Sequence, residues 1–594
     1  MKRMCSALSV WSVSLFVLSA ACQAAPGGAT TDKQFEELAE RYIDQFPALS
    51  PVSATLLGDH RYDTELNEVS EAARTRKARF EQEFLDQLGR IDPAALSRSN
   101  QVDHALLKHS LQAQLWRLEE LQEWAWNPLT YTRLVGNAVY GLMAREFGPL
   151  ETRLTCVAAR LEQLPRLLEQ IRATLAPERV PKVHAETAVK QNRGVLSILD
   201  NMVEPYLAEL PDAEQARLKR AMETARRAVD VHQKWLESEL LPKAGGEFRI
   251  GADLFDKKLA FTLQTPLTRQ QIRERAERRL REVHNQMYDI AKEAYRAQYP
   301  YTDFPAEPSD AYKHAIIRAC LEMAYSELPE RDGVVDAAKR SLELATTFTR
   351  ENDIVTLPPD PLEIIIMPEF KRGVSLAYCD SPGPLDAGQK TFYAVAPLPE
   401  DWTAEQVHSF LREYNFRSIH NLTVHEAMPG HFLQLAHSNR YPGVLRAVLS
   451  SGTFIEGWAE YTEWMMCEQG FLDGDPLMQL IVLKWYLRAT TNAIIDQAIH
   501  VDGMTRDEAM RLMVESGFQE ESEAAAKWTR AQLTSVQLST YFVGYQEHTD
   551  LRKEVEQTWG DKFNLKEYHD KVLSFGSPPV KYVRALLLDA EIPR

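Results

Sequence analysis

The stretch TVHEAMPGH (423–431) brings together two imidazoles and a carboxylate, His425, Glu426 and His431. Imidazole nitrogens ligate divalent metals, and an adjacent carboxylate can take a proton from water at such a site. The compact form of this arrangement, His-Glu-x-x-His, keeps its histidines four residues apart on one face of a helix. Here they are six residues apart. At about 100° per residue, a regular helix would point them about 120° away from each other, too far to share an ion. Between them stand Pro429, which lacks a backbone donor, and Gly430, which tolerates unusual dihedrals. The spacing therefore predicts a bulge that turns both histidines to one side. An unbroken helix over 425–431 would defeat this reading.

A third ligand is expected on a neighbouring helix. SGTFIEGWAEYTEWM (451–465) supplies Glu456, Glu460 and Glu463 among Phe454, Ile455, Trp458 and Tyr461. Glu456 and Glu460 are one turn apart and share a face. A carboxylate on an apolar helix is costly to bury unless it is paired or binds metal. Glu463 is read as lying on a solvated face.

The elements that must hold these residues are mainly helical. In 278–298, Leu280, Val283, Met287, Ile290 and Ala294 recur at helical steps, and 153–175 has the same period with Pro165 marking a kink or break. Breakers cluster at 175–182, 241–248 and 299–308. By contrast, 363–399 is rich in β-branched and aromatic residues, which predicts a small sheet or hairpin just before the His-Glu segment. Its TFYAVAPL stretch, with Tyr393, offers an edge on which an extended peptide could pair. The fold expected is mainly α, a large helical body in two lobes with a small β-sheet beside the metal-binding helices.

The chain has 594 residues, 44% hydrophobic and 26% charged, with a formal net charge of −17. That composition is globular, and the acidic balance without a basic block argues against nucleic acid as a partner. Lys2 and Arg3 precede an apolar run, Leu8 to Ala21, and small residues follow. This layout predicts a signal peptide over 1–24, a short leader over 25–32 and one catalytic unit over 33–594. Within that unit a helical part covers about 33–300 and the metal-site part about 301–594. Export to the periplasm or beyond is expected, with Cys22 as an alternative point of lipid attachment. No later segment is apolar enough to span a membrane. Cys156, Cys320, Cys379 and Cys467 have no paired spacing and are expected as free thiols, mostly buried. No nucleophile elbow, Walker loop or dinucleotide fingerprint is visible.

HEAMPGH followed by FIEGWAEY resembles the signature of the bacterial family called domain of unknown function 885, zinc peptidases of gluzincin type. The resemblance extends to SPVSATLLGDHRYDTELNEVS (50–70), DQAIHVDGMTRDEA (496–509), QLSTYFVGYQE (537–547) and GSPPVKYVRALLL (576–588), in the family's order. It implies a zincin-like body with one Zn2+ per chain, held by His425, His431 and Glu456, and Glu426 as the general base. Glu460 stands where the family often has leucine, and is expected to orient a ligand histidine from behind, as is Asp496 to support the site. Gln497-Ala498 replaces a frequent Thr-Gly, which bears on specificity. Tyr541 and His500 are the candidates for stabilising an oxyanion, because zinc peptidases of this kind use a Tyr or His there. For Tyr541 the alternative is a core aromatic, and for His500 a helix-surface ion pair with Asp496. Arg488 is a candidate for binding a substrate carboxylate, or else a member of a surface network, and Tyr393 a candidate for contacting substrate. The implied activity is hydrolysis of short peptides. The alternatives are a zinc hydrolase of other amide or ester bonds, or a catalytically dead periplasmic binding protein.

Overall fold

The computed structural model describes residues 26–367, 376–386 and 388–593. The expected signal segment, with Cys22, lies outside them. The first described helix, Pro26–Gln45, takes in most of the stretch expected as a leader. The reason is tertiary: Asp32 accepts hydrogen bonds from the Ser97 amide at 2.9 Å and from Asn100 Nδ2 at 2.8 Å, which pins this end to a later helix.

The periodic segments are helices. Arg269–Gln298 starts at a reciprocal capping box between Thr268 and Gln271 and buries Ile272, Val283, Met287 and Ala294 along one face. Leu150–Thr174 runs as one helix through Pro165, so of the kink or break expected there the break does not occur. Burial of Leu161, Leu164, Leu167 and Leu168 around the proline outweighs the backbone hydrogen bond that it removes.

Two large apolar cores form. One gathers residues between Val52 and Leu240, mainly from the helices over 128–240. The other runs from Phe255 to Val583 and contains the helices around the candidate site. Beside the second core lies a three-stranded sheet of β1 (Leu362–Ile366), β2 (Ala377–Asp380) and β3 (Thr391–Val395), in the order β1-β3-β2. β3 pairs in parallel with β1 and antiparallel with β2. The TFYAVAPL strand is therefore central, with both edges paired, and it offers no edge for a peptide.

Six helices position the site: α1 (Phe416–Glu426), α2 (His431–Ser438), α3 (Gly452–Glu468), α4 (Pro476–Gln497), α5 (Glu521–Leu533) and α6 (Ser539–Trp559). Asn415 caps α1 by accepting from the amides of Arg417 and Ser418, and Ser451 caps α3. α4 is apolar on nearly every side, with Leu480, Ile481, Leu487, Ile494 and Ile495 all buried, and passes through the middle of the second core. α3 and α6 touch backbone to backbone. A Cβ on Gly457 would fall 2.4 Å from the carbonyl carbon of Gly544, and one on Gly544 would fall 2.3 Å from the Thr453 oxygen. Among the described residues the four cysteines are free thiols, and no helix is long and apolar enough to cross a membrane.

Candidate metal centre

Helix α1 stops at Glu426. Ala427 leaves helical geometry at φ −125°, ψ −81°, Met428–Pro429 is a cis peptide, and Gly430 sits at φ −77°, ψ −128°. The Gly430 amide donates to the Val424 oxygen at 2.9 Å, which folds the loop back on α1. That closeness requires glycine: an added Cβ would lie 1.9 Å from the His425 oxygen. Trp458 of α3 closes the loop from the other side, its Nε1 donating to the Pro429 oxygen at 2.9 Å. α2 then begins at His431. The two histidines thus end one helix and start another, with the expected bulge between them.

Their rings come together, with centroids 4.7 Å apart and planes at 87°. Glu456 of α3 completes the group. Its Oε2 is 3.7 Å from His425 Nε2 and 3.5 Å from His431 Nε2. These separations are long for hydrogen bonds. They are close to the ~3.3 Å between two ligands of a tetrahedral ion with bonds of about 2.0–2.1 Å. The three side chains are therefore a fitting donor set for a zinc-like cation. Electrostatics agree. Four carboxylates, from Glu426, Glu456, Glu460 and Glu463, crowd these two imidazoles on mostly buried elements. Burial would raise the Glu456 carboxyl, but the two histidines outweigh it and hold the group well below the usual carboxylate range. Burial likewise opposes protonation of His425, yet Glu456 and Glu463 raise it well above the ordinary imidazole value. A metal ion would take the place of that proton.

The orientation of His425 is fixed from behind. Its Nδ1 lies 2.7 Å from Glu463 Oε1, and the other Glu463 oxygen accepts from Asn421 Nδ2 at 2.6 Å. Glu463 is only 3% exposed, so the solvated face expected for it is wrong. Its carboxylate is stable there because both oxygens are hydrogen-bonded. The expected orienting residue, Glu460, is near: one of its oxygens lies within 4.8 Å of the His425 and Glu463 atoms. Burial, then the Glu463 charge, raises the Glu460 carboxyl well above its ordinary value. Glu426 points from the end of α1 towards β2, and its Oε2 accepts from the Cys379 amide at 2.8 Å. Burial raises its carboxyl, against the lowering effect of His431 and His425.

The remaining predicted residues fall into two groups. Tyr541, near the start of α6, lies close enough to the Glu456 charge to be raised by it as well as by burial, and its Oη accepts from Arg530 at 3.0 Å and Gln537 at 3.1 Å. Arg488 is not on the surface. Its side chain is 17% exposed, and its Nη2 pairs with Glu523 of α5. His500 and Asp496 are buried and form no helix-surface ion pair. His500 Nε2 is held by the carbonyls of Ala531 at 2.9 Å and Thr534 at 2.8 Å, so that nitrogen is spent on the α5–α6 connection. Asp496 accepts from the amides of Val536 and Ser539, which anchors the first turn of α6 and so places Tyr541. Tyr393 is 1% exposed, with its hydroxyl 3.2 Å from Thr423 Oγ1 beneath α1, and it has no open face for a substrate.

The bacterial family described as a protein of unknown function, DUF885, matches residues 51–587. The chain belongs to the DUF885 family. A solved structure described as a lipoprotein of unknown function from Shewanella oneidensis is similar to it, with 34% identity and a TM-score of 0.78 over 93% of this chain and 99% of that one. A second, described as a lipoprotein from Colwellia psychrerythraea, has 18% identity and a TM-score of 0.76 over 95% of this chain and 99% of that one, and shows the same fold. No curated protein matches the chain.

Sequence reasoning missed Asn421, the Cys379 amide and the orienting role of Glu463. The signal for Glu463 was present. Residues 456, 460 and 463 lie at steps of four and three, one stripe on a helix otherwise apolar. A main-chain donor such as the Cys379 amide leaves no mark in side-chain chemistry.

Proposed function

We propose that this DUF885 protein is an exported zinc-dependent peptidase that hydrolyses short peptides. The observation that carries the proposal is the convergence of His425 Nε2, His431 Nε2 and Glu456 Oε2, with Glu426 next to His425 in the chain and within electrostatic reach of both histidines. The chemistry that zinc supplies when bound there is Lewis-acid polarisation of the scissile carbonyl and a lowered pKa for water.

The rest falls to the protein. Glu426 takes the proton of the attacking water and delivers it to the leaving amine. The Cys379 amide fixes one of its oxygens, and burial raises its proton affinity towards the range a general base needs. Glu463 and Asn421 hold His425 in the orientation that turns its Nε2 towards Glu456. Tyr541 accepts two hydrogen bonds, from Arg530 and Gln537, so its remaining capacity is to donate its own proton. On this reading it is the donor that serves the developing oxyanion. The limited exposure of the site, 27% for the Glu456 side chain and 10–11% for the two histidines, favours a narrow extended substrate over a folded protein. Export is supported by the N-terminal layout and by the description of the Shewanella relative as a lipoprotein, which favours Cys22 as the anchor.

The test is metal analysis of the purified protein beside its Glu426→Gln variant, with both assayed on a library of short peptides. About one zinc per chain is expected in each, and cleavage only by the parent. Protein that carries no zinc, and gains no activity when zinc is added, would refute the proposal.

A further inference from the structure

Next to the candidate metal centre, α4 and α5 collect three cationic side chains. Glu523, Lys527 and Arg530 follow one another at steps of four and three on α5 and so share a face. Arg488 of α4 meets that face through its Nη2 contact with Glu523, while its Nη1 is buried with no hydrogen-bond partner. Arg530 reaches Gln537 and Tyr541 and forms no ion pair among the described residues. Lys527 is the outlier. It is 5% exposed, and among the described residues it has neither a hydrogen-bond nor an ion-pair partner.

An ammonium on a mostly buried side chain is costly without a partner. Residues that serve stability alone would pair it, as Lys484 is paired with Glu413 at 2.7 Å in the same core. The face is also linked electrostatically to the centre through two residues. Arg488 and Lys527 both lie within electrostatic reach of Glu460, which is itself within 4.8 Å of the His425 nitrogen. Arg530 holds Tyr541, which in turn senses Glu456. Burial, then Arg488 and Arg530, hold the Lys527 amine well below its usual range against the raising charges of Glu523 and Glu460, so a further anion arriving beside it would favour its charged form.

We infer that Lys527, Arg488 and Arg530 form a subsite for a carboxylate of the substrate, so that the preferred peptides carry a free C-terminus or an acidic side chain beside the bond that is cut. The inference rests on the peptidase reading, and it adds the substrate class. A guanidinium with an open donor, and an amine that an anion would bring back to its charged form, suit a carboxylate better than a neutral amide, since charge-assisted hydrogen bonds are the stronger kind.

The subsite can be tested without turnover. Zinc-loaded full-length Glu426→Gln protein is titrated calorimetrically with N-acetyl-Ala-Phe-Ala as free acid and as C-terminal amide. A second pair, N-acetyl-Ala-Phe-Glu-amide and N-acetyl-Ala-Phe-Gln-amide, separates a side-chain carboxylate from a terminal one. At least one charged member is expected to bind about 10- to 100-fold more tightly than its neutral partner, the range for a charged hydrogen bond. Lys527→Met in the same background should bring that ratio close to one, and Lys527→Arg should keep most of it. Zinc content and the thermal transition identify a variant that has not folded, in which case the parent's ratio and Lys527→Arg decide the matter. Equal binding of both pairs by the parent, or a preference that survives Lys527→Met, would overturn the subsite. Hydrolysis by the parent is scored separately, so an active enzyme without the preference removes the subsite alone, and a preference without hydrolysis removes the peptidase reading alone.

Discussion

His425 and Glu463 are joined by a 2.7 Å contact between Nδ1 and Oε1, and Glu463 is joined in turn to Asn421 of the same helix as His425. The carboxylate thus clamps α1 to α3 at the point where the first candidate ligand emerges. It fixes the tautomer as well as the angle, since an Nδ1 proton given to Glu463 leaves Nε2 free as a donor to metal. Glu463→Ala is expected to weaken zinc affinity by about 10- to 100-fold, the range for partners of ligating histidines. Glu463→Gln, which can still accept from Nδ1, should lose less. Competition against a chromogenic chelator measures both, and unchanged affinity in Glu463→Ala would remove its orienting role.

Glu456 and Glu460 differ in what they face. Glu456 Oε2 meets both histidine Nε2 atoms, whereas Glu460 shares its group with His425 and Glu463. Glu456→Ala should therefore lose bound zinc through simple dialysis, while Glu460→Ala should retain about one ion per chain. Equal loss from the two, read by atomic absorption, would leave Glu456 unsupported as the third ligand.

Tyr541 is predicted to act on the rate and not on metal retention. Tyr541→Phe keeps the ring and removes the donor, and kcat should fall about 10²- to 10³-fold, as for loss of an oxyanion donor. Zinc content should not change. A fall in kcat below threefold on every cleaved peptide would return Tyr541 to the role of a core aromatic.

The contact between Gly457 and Gly544 sets the distance between Glu456 on α3 and Tyr541 on α6. Gly457→Ala places a methyl 2.4 Å from the Gly544 backbone, which neither helix can yield without moving. A loss of stability of about 1–3 kcal/mol is expected, typical of overpacking. It should appear as a lower denaturation midpoint. A midpoint equal to the parent's would show that the helices separate freely.

His60 predicts how stability depends on pH. Burial disfavours its charge, but hydrogen bonds to Asp386 and Asp63 outweigh that and raise the imidazole to about 9 from an ordinary 6.5. Because the folded state binds this proton more tightly, the contribution is complete below pH ~6.5 and is lost as pH rises through about 9. The thermal midpoint should fall over that window, and His60→Gln should flatten the fall. A parallel decline in the variant would assign the effect to other groups.

Much of this arrangement was legible in the sequence. The helical periods at 153–175 and 278–298, the strands before the His-Glu segment and the loop at Pro429-Gly430 all follow from local chemistry that agrees with the tertiary packing. What stayed hidden depended on burial from a distance. Glu463 looks like a surface acid until α1 brings Asn421 and His425 against it. Tyr393 looks available until β3 is seen to be the middle strand beneath α1. His500 and Asp496 carry the side chains of a catalytic pair, yet they are spent on backbone groups of the α5–α6 connection, and only the packed structure reveals that use.

The amide that holds Glu426 belongs to Cys379, and the next residue, Asp380, is gripped from the N-terminal half of the chain. Arg145 donates to its carboxylate at 2.7 Å and to its carbonyl at 2.8 Å, while the hydroxyl of Tyr140 also bonds to its carboxylate. A few residues on, Leu385 donates to the Leu57 oxygen at 2.9 Å. Every side chain proposed to work on substrate lies after residue 425, yet the strand steadying the base is moored to Tyr140 and Arg145, 240 and 235 residues earlier. Truncation to the second half would keep the whole inventory of reactive groups and lose their alignment. Two fragments cut between the halves and expressed together should recover, by reassociation, what neither possesses alone.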